Sequence, residues 1–319
     1  MITGGAGLVG SHLADQLVQA GVSEVVIFDN LCRGRPENLG EARRLGNVAL
    51  LEGDVRDREA VEKAIDSVDF VFHMAAIRLP QCAKNPRLGL EVMADGAFNV
   101  IESASKAGVT KLVAASSASI YGDAEAFPID ERHHPYSNDT LYGASKVFTE
   151  GVLAAFRATH GLNYVALRFF NIYGPRMDVH GAYTEVLVRW LERIDTGRPP
   201  LILGDGSTTM DLVYVEDIAR SCLLAAMSDV SGDALNIATG VETSLTELAN
   251  ELLRAMGSDL DVEFGPARKA GPVERRRGST ELARERLGFE ATVTLQEGLE
   301  RLIKWWRANA PAAHTGGAQ

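Results

Sequence analysis

The chain has 319 residues, of which 46% are hydrophobic and 24% charged, and it carries a formal net charge of −11. That length allows one large core with a smaller lobe, no apolar run approaches the ~20 residues of a membrane helix, and the acidic balance opposes nonspecific nucleic-acid binding, which needs a basic face. No positively charged stretch leads into an apolar core at the start, so the reading is cytoplasmic, and Cys32, Cys82 and Cys222 lie too far apart for the paired spacing of a zinc site.

The first element is MITGGAGLVGSHLADQLVQAG. Gly4, Gly7 and Gly10 recur at three-residue spacing, and behind them Val9, Leu13, Leu17 and Val18 repeat at helical spacing as far as Gly21. The glycines allow a tight turn and close backbone approach, and the free amides of a helix start favour a pyrophosphate. Three glycines alone also describe an ordinary turn. Asp29 strengthens the reading: it ends the run EVVIFD nineteen residues past Gly10, where a carboxylate can accept hydrogen bonds from adenosine ribose hydroxyls. A carboxylate there repels a 2′-phosphate and favours NAD over NADP, a preference that nearby Arg33 tempers.

The strand-like runs NVALLEGD, DFVFHMAA, KLVAASS and NYVALRFF follow, separated by helical patterns. This alternation predicts an α/β fold, a doubly wound parallel sheet with helices on both faces. Ligands of such sheets bind beyond the carboxyl ends of the strands, where the runs deposit Asp29, Asp54, His73, Ser116 and Ser117. AASSASIYG adds Ser119 to the same rim, and LYGASK sets Tyr142 and Lys146 four apart, on one face of a helix. A phenol of pKa about 10 is a poor base at neutral pH. A neighbouring lysine ammonium lowers that value, and an oxidised nicotinamide would add a second positive charge. Past residue 170 come a helical segment near 183–196, the strand-like PLILGDG, DLVYVEDIARSCLLAAM, and two further strand and helix pairs. A helix around 295–309, with Leu299, Leu302, Ile303 and Trp306 at helical spacing, is expected to pack as a terminal cap, and the tail 310–319 is expected to be disordered.

In their order and spacing, TGGAGLVG, FDN, GDV, HMAA, SSASIYG, YGASK and RFFNIYGP resemble the extended short-chain dehydrogenase/reductase family, and within it the NAD-dependent nucleotide-sugar epimerases and dehydratases. The resemblance covers about residues 2–309. It implies a Rossmann-type NAD-binding domain over 1–170 with parts of 205–240. It also implies a smaller C-terminal α/β substrate lobe over 171–204 and 241–309, and often a homodimer formed by helices of the main domain. Cofactor contacts are then expected from Gly4, Gly7, Leu8, Val9 and Gly10, and from Asp29, Asn30 and Arg33. Asp54 and Val55 match the adenine contacts, and Met74, Ala75 and Ala76 the backbone along the pyrophosphate and nicotinamide ribose. Arg78, Ser116 and Phe170 complete the cofactor set. Ser117 matches the serine that hydrogen-bonds the sugar hydroxyl, Tyr142 the base, and Lys146 the residue that orients the cofactor ribose. Ser119 and Asn171, the latter at the substrate diphosphate, join the substrate set with Leu201 and Leu203 at the nucleotide base and with Arg268, Lys269 and Arg276.

The family's dehydratases place acidic residues after the catalytic serine or threonine, and its decarboxylating members carry a glutamate in the same segment; here those places hold Ala118 and Ser119. The resemblance therefore implies 4-epimerisation: Tyr142 takes a proton from the 4-hydroxyl, NAD accepts the C4 hydride, the ketone rotates, and hydride returns to its other face. A dehydratase or reductase is the enzymatic alternative, and a catalytically silent NAD-binding sensor the other. Several substrate-side positions depart from the family. Met210 stands where relatives have an arginine on the diphosphate, leaving Arg268, Lys269, Arg275 or Arg276 as the clamp. Arg276 falls at a position that gates bulk around the sugar ring, where a cation would favour an acidic sugar. Met93 replaces an asparagine near the cofactor, and Asp178 an arginine of uronate-specific epimerases. Without a patterned ligand set, His133, His134 and His180 are read as solvated, and no metal is expected. Relatives have several more apolar residues before the threonine, so the natural start is expected upstream of Met1 or the chain begins late.

Overall fold

The computed structural model describes residues 1–134, 138–179, 185–267 and 273–309. Seven parallel strands form one sheet: β1 (Ile2–Thr3), β2 (Val25–Asp29), β3 (Val48–Glu52), β4 (Phe70–His73), β5 (Lys111–Ser117), β6 (Tyr164–Phe169) and β7 (Asp233–Ile237), in the spatial order β7-β6-β5-β4-β1-β2-β3. The reversal of order between β1 and β4 is what opens a crevice at the carboxyl ends of the strands. Successive residues serve opposite faces. Ile27, Val113 and Val165 pack with the helices Leu8–Gln19 and Val215–Met227, while Phe28, Ala114 and Ala166 pack with Arg58–Ile65, Gly96–Ala107 and Leu141–His160. The fold is thus the doubly wound, Rossmann-type α/β architecture, covered on both faces.

Strand β1 is only two residues long, yet it lies inside the sheet between β2 and β4. Met1 continues its ladder, since its amino group donates to the Phe70 carbonyl at 2.7 Å and its own carbonyl accepts from Phe72 N–H at 2.8 Å. The turn behind β1 depends on glycine at two points. Gly4 has φ +65°, and a Cβ there would meet the Ala75 backbone at 2.8 Å; a Cβ on Gly10 would meet the Gly4 carbonyl and Gly5 Cα at 2.5 Å.

A second hydrophobic cluster is built from the helices Val186–Asp195, Leu245–Met256 and Leu295–Asn309, with Trp190, Leu191, Leu252, Leu299 and Trp306 at its centre. Around it run three two-stranded pairs: Asn171–Tyr173 with Leu212–Tyr214, Thr209–Met210 with Thr243–Ser244, and Leu201–Leu203 with Glu263–Gly265. Asp211 ties these pieces to the sheet. Its fully buried carboxylate accepts from the backbone N–H of Thr239 (2.8 Å), Gly240 (3.0 Å) and Gly278 (3.1 Å), so two loops share one anchor. The terminal helix Leu295–Asn309 matches its expected range and buries Leu299, Leu302, Ile303 and Trp306. The tail 310–319 lies outside the described residues.

Candidate active site

A cleft of about 850 Å³ opens at the carboxyl ends of the strands. Gly4, Gly7, Leu8, Val9 and Gly10 line it at one end. The helix Leu8–Gln19 has no side-chain cap, and its first turn closes with the Ser11 N–H to Gly7 carbonyl bond, which leaves the amides ahead of Ser11 for a phosphate. Asp29 sits at the tip of β2 and accepts from Ala6 N–H at 3.0 Å and Leu31 N–H at 2.9 Å; burial pushes its carboxyl up from the ordinary range. Asn30 donates to Asp54 at 2.9 Å, and Arg56, bonded to the same carboxylate at 2.9 Å, holds Asp54 well below the usual carboxylate range. Val55, Met74, Ala75 and Ala76 continue the wall. Thr3 fixes Ala75, because its hydroxyl accepts from Ala75 N–H at 3.2 Å and pairs with His73 Nδ1 at 2.8 Å.

On the opposite wall, Thr140 caps the helix Leu141–His160 by accepting from Gly143 N–H at 3.1 Å. The helix therefore begins one residue before Tyr142, which borders the cleft together with Lys146 one turn later. The Ser117 hydroxyl accepts from Ser119 N–H at 3.1 Å and lies close enough to the Tyr142 phenol to oppose the rise in its pKa. Lys146 Nζ donates to the Ala115 carbonyl at 2.6 Å and lies 5.9 Å from the centre of the Tyr142 ring. Burial pulls Lys146 down to about 8. Tyr142 departs from expectation: its pKa is raised, because burial outweighs the Ser117 hydrogen bond and the Lys146 ammonium is turned toward the Ala115 carbonyl. Ser116, Ser119, Phe170 and Asn171 also border the cleft, but the Ser116 hydroxyl is committed to Glu150 at 2.5 Å.

The third wall is a charged clasp. Arg33 Nε lies 3.3 Å from Asp178, and Arg78 lies 2.9 Å from Glu185 and 4.0 Å from Asp178. The loop after β2 is thereby joined to the loop after Tyr173. Arg33, expected beside the ribose, is paired with a carboxylate across the cleft.

Comparison with known proteins matches residues 1–238 to the NAD dependent epimerase/dehydratase family. The chain belongs to that family. A UDP-glucose 4-epimerase from Thermotoga maritima, solved with UDP-glucose, superposes with a TM-score of 0.90 at 33% identity over 96% of this chain and 98% of that one. The Thermus thermophilus UDP-glucose 4-epimerase, solved with NAD, superposes with a TM-score of 0.86, also at 33% identity and the same coverage. A UDP-N-acetyl-alpha-D-glucosaminuronate decarboxylase from Bacillus cytotoxicus is 30% identical over 322 residues, 96% of this chain and 97% of its own length. The family's cofactor is NAD. The residues present fit it, through the uncapped helix start at the glycine turn and the Asp29 carboxylate at the tip of β2.

Some residues that the family resemblance singled out stand away from the cleft lining. Leu201 and Leu203 lie on the strand paired with Glu263–Gly265, with Leu203 exposed. Arg276 reaches the serine segment from behind: its guanidinium donates to the Ala118 carbonyl at 2.6 Å, and burial lowers its pKa to about 10. Arg275 is engaged elsewhere, 2.8 Å from Glu242 and stacked over Phe127 at 4.2 Å. Met93 is buried, with its sulfur accepting from Ile77 N–H. His133 packs edge-on against Tyr121. Arg268, Lys269 and His180 lie outside the described residues. The charged cleft residues Arg35, Glu37, Arg176, Glu185 and Arg189, and the carboxylate Glu150 behind the cleft, escaped sequence reasoning. Of these only Glu150 left a signal, its position four residues after Lys146.

Proposed function

We propose that this chain inverts C4 of a nucleotide sugar, a UDP-hexose, UDP-N-acetylhexosamine or UDP-uronate, through a 4-keto intermediate. The observation that carries the reading is the meeting of Ser117, Tyr142 and Lys146 on the cleft wall, with Ala118 and Ser119 following Ser117 in sequence. Bound NAD supplies the site that accepts hydride from C4 and gives it back. Tyr142 takes the proton of the 4-hydroxyl, and Ser117, on the same cleft wall, orients that hydroxyl. Lys146, seated on the Ala115 carbonyl, holds the cofactor ribose and puts a positive charge near Tyr142. No carboxylate follows Ser117 to expel the C6 hydroxyl, and this separates the reading from dehydration.

The sheet with 1–170 and parts of 205–240 serves the dinucleotide, and the cluster over 171–204 and 241–309 serves the sugar nucleotide. The Thermotoga and Thermus epimerases, solved with UDP-glucose and with NAD, support this pair of ligands. The protein acts as a homodimer through the helices Gly96–Ala107 and Leu141–His160, a reading supported by the exposed Phe98 and Phe148 on them. Incubating the purified protein with UDP-, GDP-, dTDP- and CDP-sugars and separating the products tests the activity. A C4 epimer of one UDP-sugar is expected; a 4-keto-6-deoxy or decarboxylated product, or none from any sugar, overturns the assignment.

A further inference from the structure

Glu150 lies one helical turn beyond Lys146, its side chain 16% exposed. Three donors converge on its carboxylate: Arg168 Nε at 3.0 Å, Arg168 Nη2 at 2.7 Å and the Ser116 hydroxyl at 2.5 Å. Arg168, on β6, is fixed in turn by donating to the Tyr121 hydroxyl and the Glu131 carbonyl, both at 2.9 Å, and Tyr121 donates to Asn236 on β7 at 2.6 Å. Lys146 is seated on the carbonyl of Ala115, the residue before Ser116. One carboxylate therefore pairs with the half-buried Arg168, lies one turn from the buried Lys146 on the same helix, and bonds the tyrosine–lysine helix to β5 and β6.

We infer that Glu150 is a positioning residue that keeps Lys146 protonated in its seat, and that Arg168 sets how much of the Glu150 charge Lys146 feels. An ammonium taken out of water loses its hydration, and only a nearby negative charge or hydrogen-bond acceptors restore it. The titratable groups around Lys146 are His73 at the end of β4, Cys82 on the helix Leu79–Lys84, and Tyr142 and Glu150 on its own helix. Burial keeps His73 neutral, lowering it to about 3, and pushes the Cys82 thiol and Tyr142 phenol up. Glu150 is the carboxylate of that set and makes the largest contribution opposing the burial of Lys146. Without it, burial would lower Lys146 further, and the lysine would carry less charge when Tyr142 needs it.

The inference rests on the proposed roles of Tyr142 and Lys146, so its test reads the lysine directly. In NAD-loaded protein with ¹³C-labelled lysine, the Lys146 resonance, assigned by its loss in Lys146→Arg, is titrated by NMR alongside the pH profile of turnover. Glu150→Gln is expected to move the Lys146 midpoint, and the alkaline limb of the profile, down by about one pH unit or more. Arg168→Gln, which leaves Glu150 uncompensated, is expected to move both up. Unchanged midpoints, or shifts of one sign in both variants, overturn the inference, since a merely structural pair would lower stability without opposite titration shifts. Should Glu150→Gln fail to fold, Arg168→Gln decides by the direction of its shift. A sugar panel without any epimer would refute the proposed activity while the NMR midpoints still decided the role of Glu150.

Discussion

At Tyr142 two effects compete. Burial raises the phenol pKa while the Ser117 hydrogen bond lowers it, and burial is the larger. A phenol in that state needs positive charge at hand to lose its proton near neutral pH, and Lys146, with its pKa at about 8, remains largely charged there. Tyr142→Phe removes the proposed proton acceptor and keeps the ring. Its turnover is expected to fall by about 10²–10⁴-fold, with the NAD content of the purified protein unchanged. Turnover within tenfold of the parent would mean that another group takes the proton. Ser117→Ala removes the bond that opposes the burial of Tyr142, so the acid limb of its pH profile is expected to move up, as phenolate forms only at higher pH. An acid limb in the same place would remove Ser117 from the account.

Among the elements, two buried histidines join the glycine turn to its surroundings. His73 pairs with Thr3 across β4 and β1, and His12 Nε2 bonds the Pro175 carbonyl from the helix Leu8–Gln19. Burial lowers both to about 3 from 6.5. A folded-state pKa below the unfolded one gives stability that is present above 6.5 and lost as pH falls toward 3. Each histidine then costs up to about 1.4 kcal/mol per pH unit in that window. Urea midpoints are expected to fall between pH 6.5 and 5, and His12→Asn to remove part of that slope; midpoints flat over the range would contradict it. Elements of this kind were legible where their signal is local. The alternating runs ending at Asp29, His73 and Ser117 became strands, and the 3.6-residue spacing of Leu299, Leu302, Ile303 and Trp306 became the final helix. The Arg33–Asp178 and Glu150–Arg168 pairs were not legible, because partners 145 and 18 residues apart meet only after the sheet has assembled. The commitment of Ser116 to Glu150 was hidden for the same reason, since a serine after a strand reads alike whichever way its hydroxyl turns.

For the whole molecule, the two proposals concern assembly and chemistry. Phe98 and Phe148 are 39% and 46% exposed, and Phe98 meets Phe156 edge to face at 5.7 Å. Paired apolar helices of this kind gain by covering each other in a second copy. Light scattering is expected to give twice the monomer mass, and Phe98→Glu with Phe148→Glu to give the monomer; a monomeric parent protein would contradict the dimer. The chemistry makes a sharper demand, because hydride leaves and returns at one carbon without exchange with solvent. The sugar that the panel identifies, deuterated at C4, tests this directly. The account expects the inverted product to keep its deuterium at C4 with no net accumulation of NADH; loss of the label to solvent, or NADH rising with product, would contradict it.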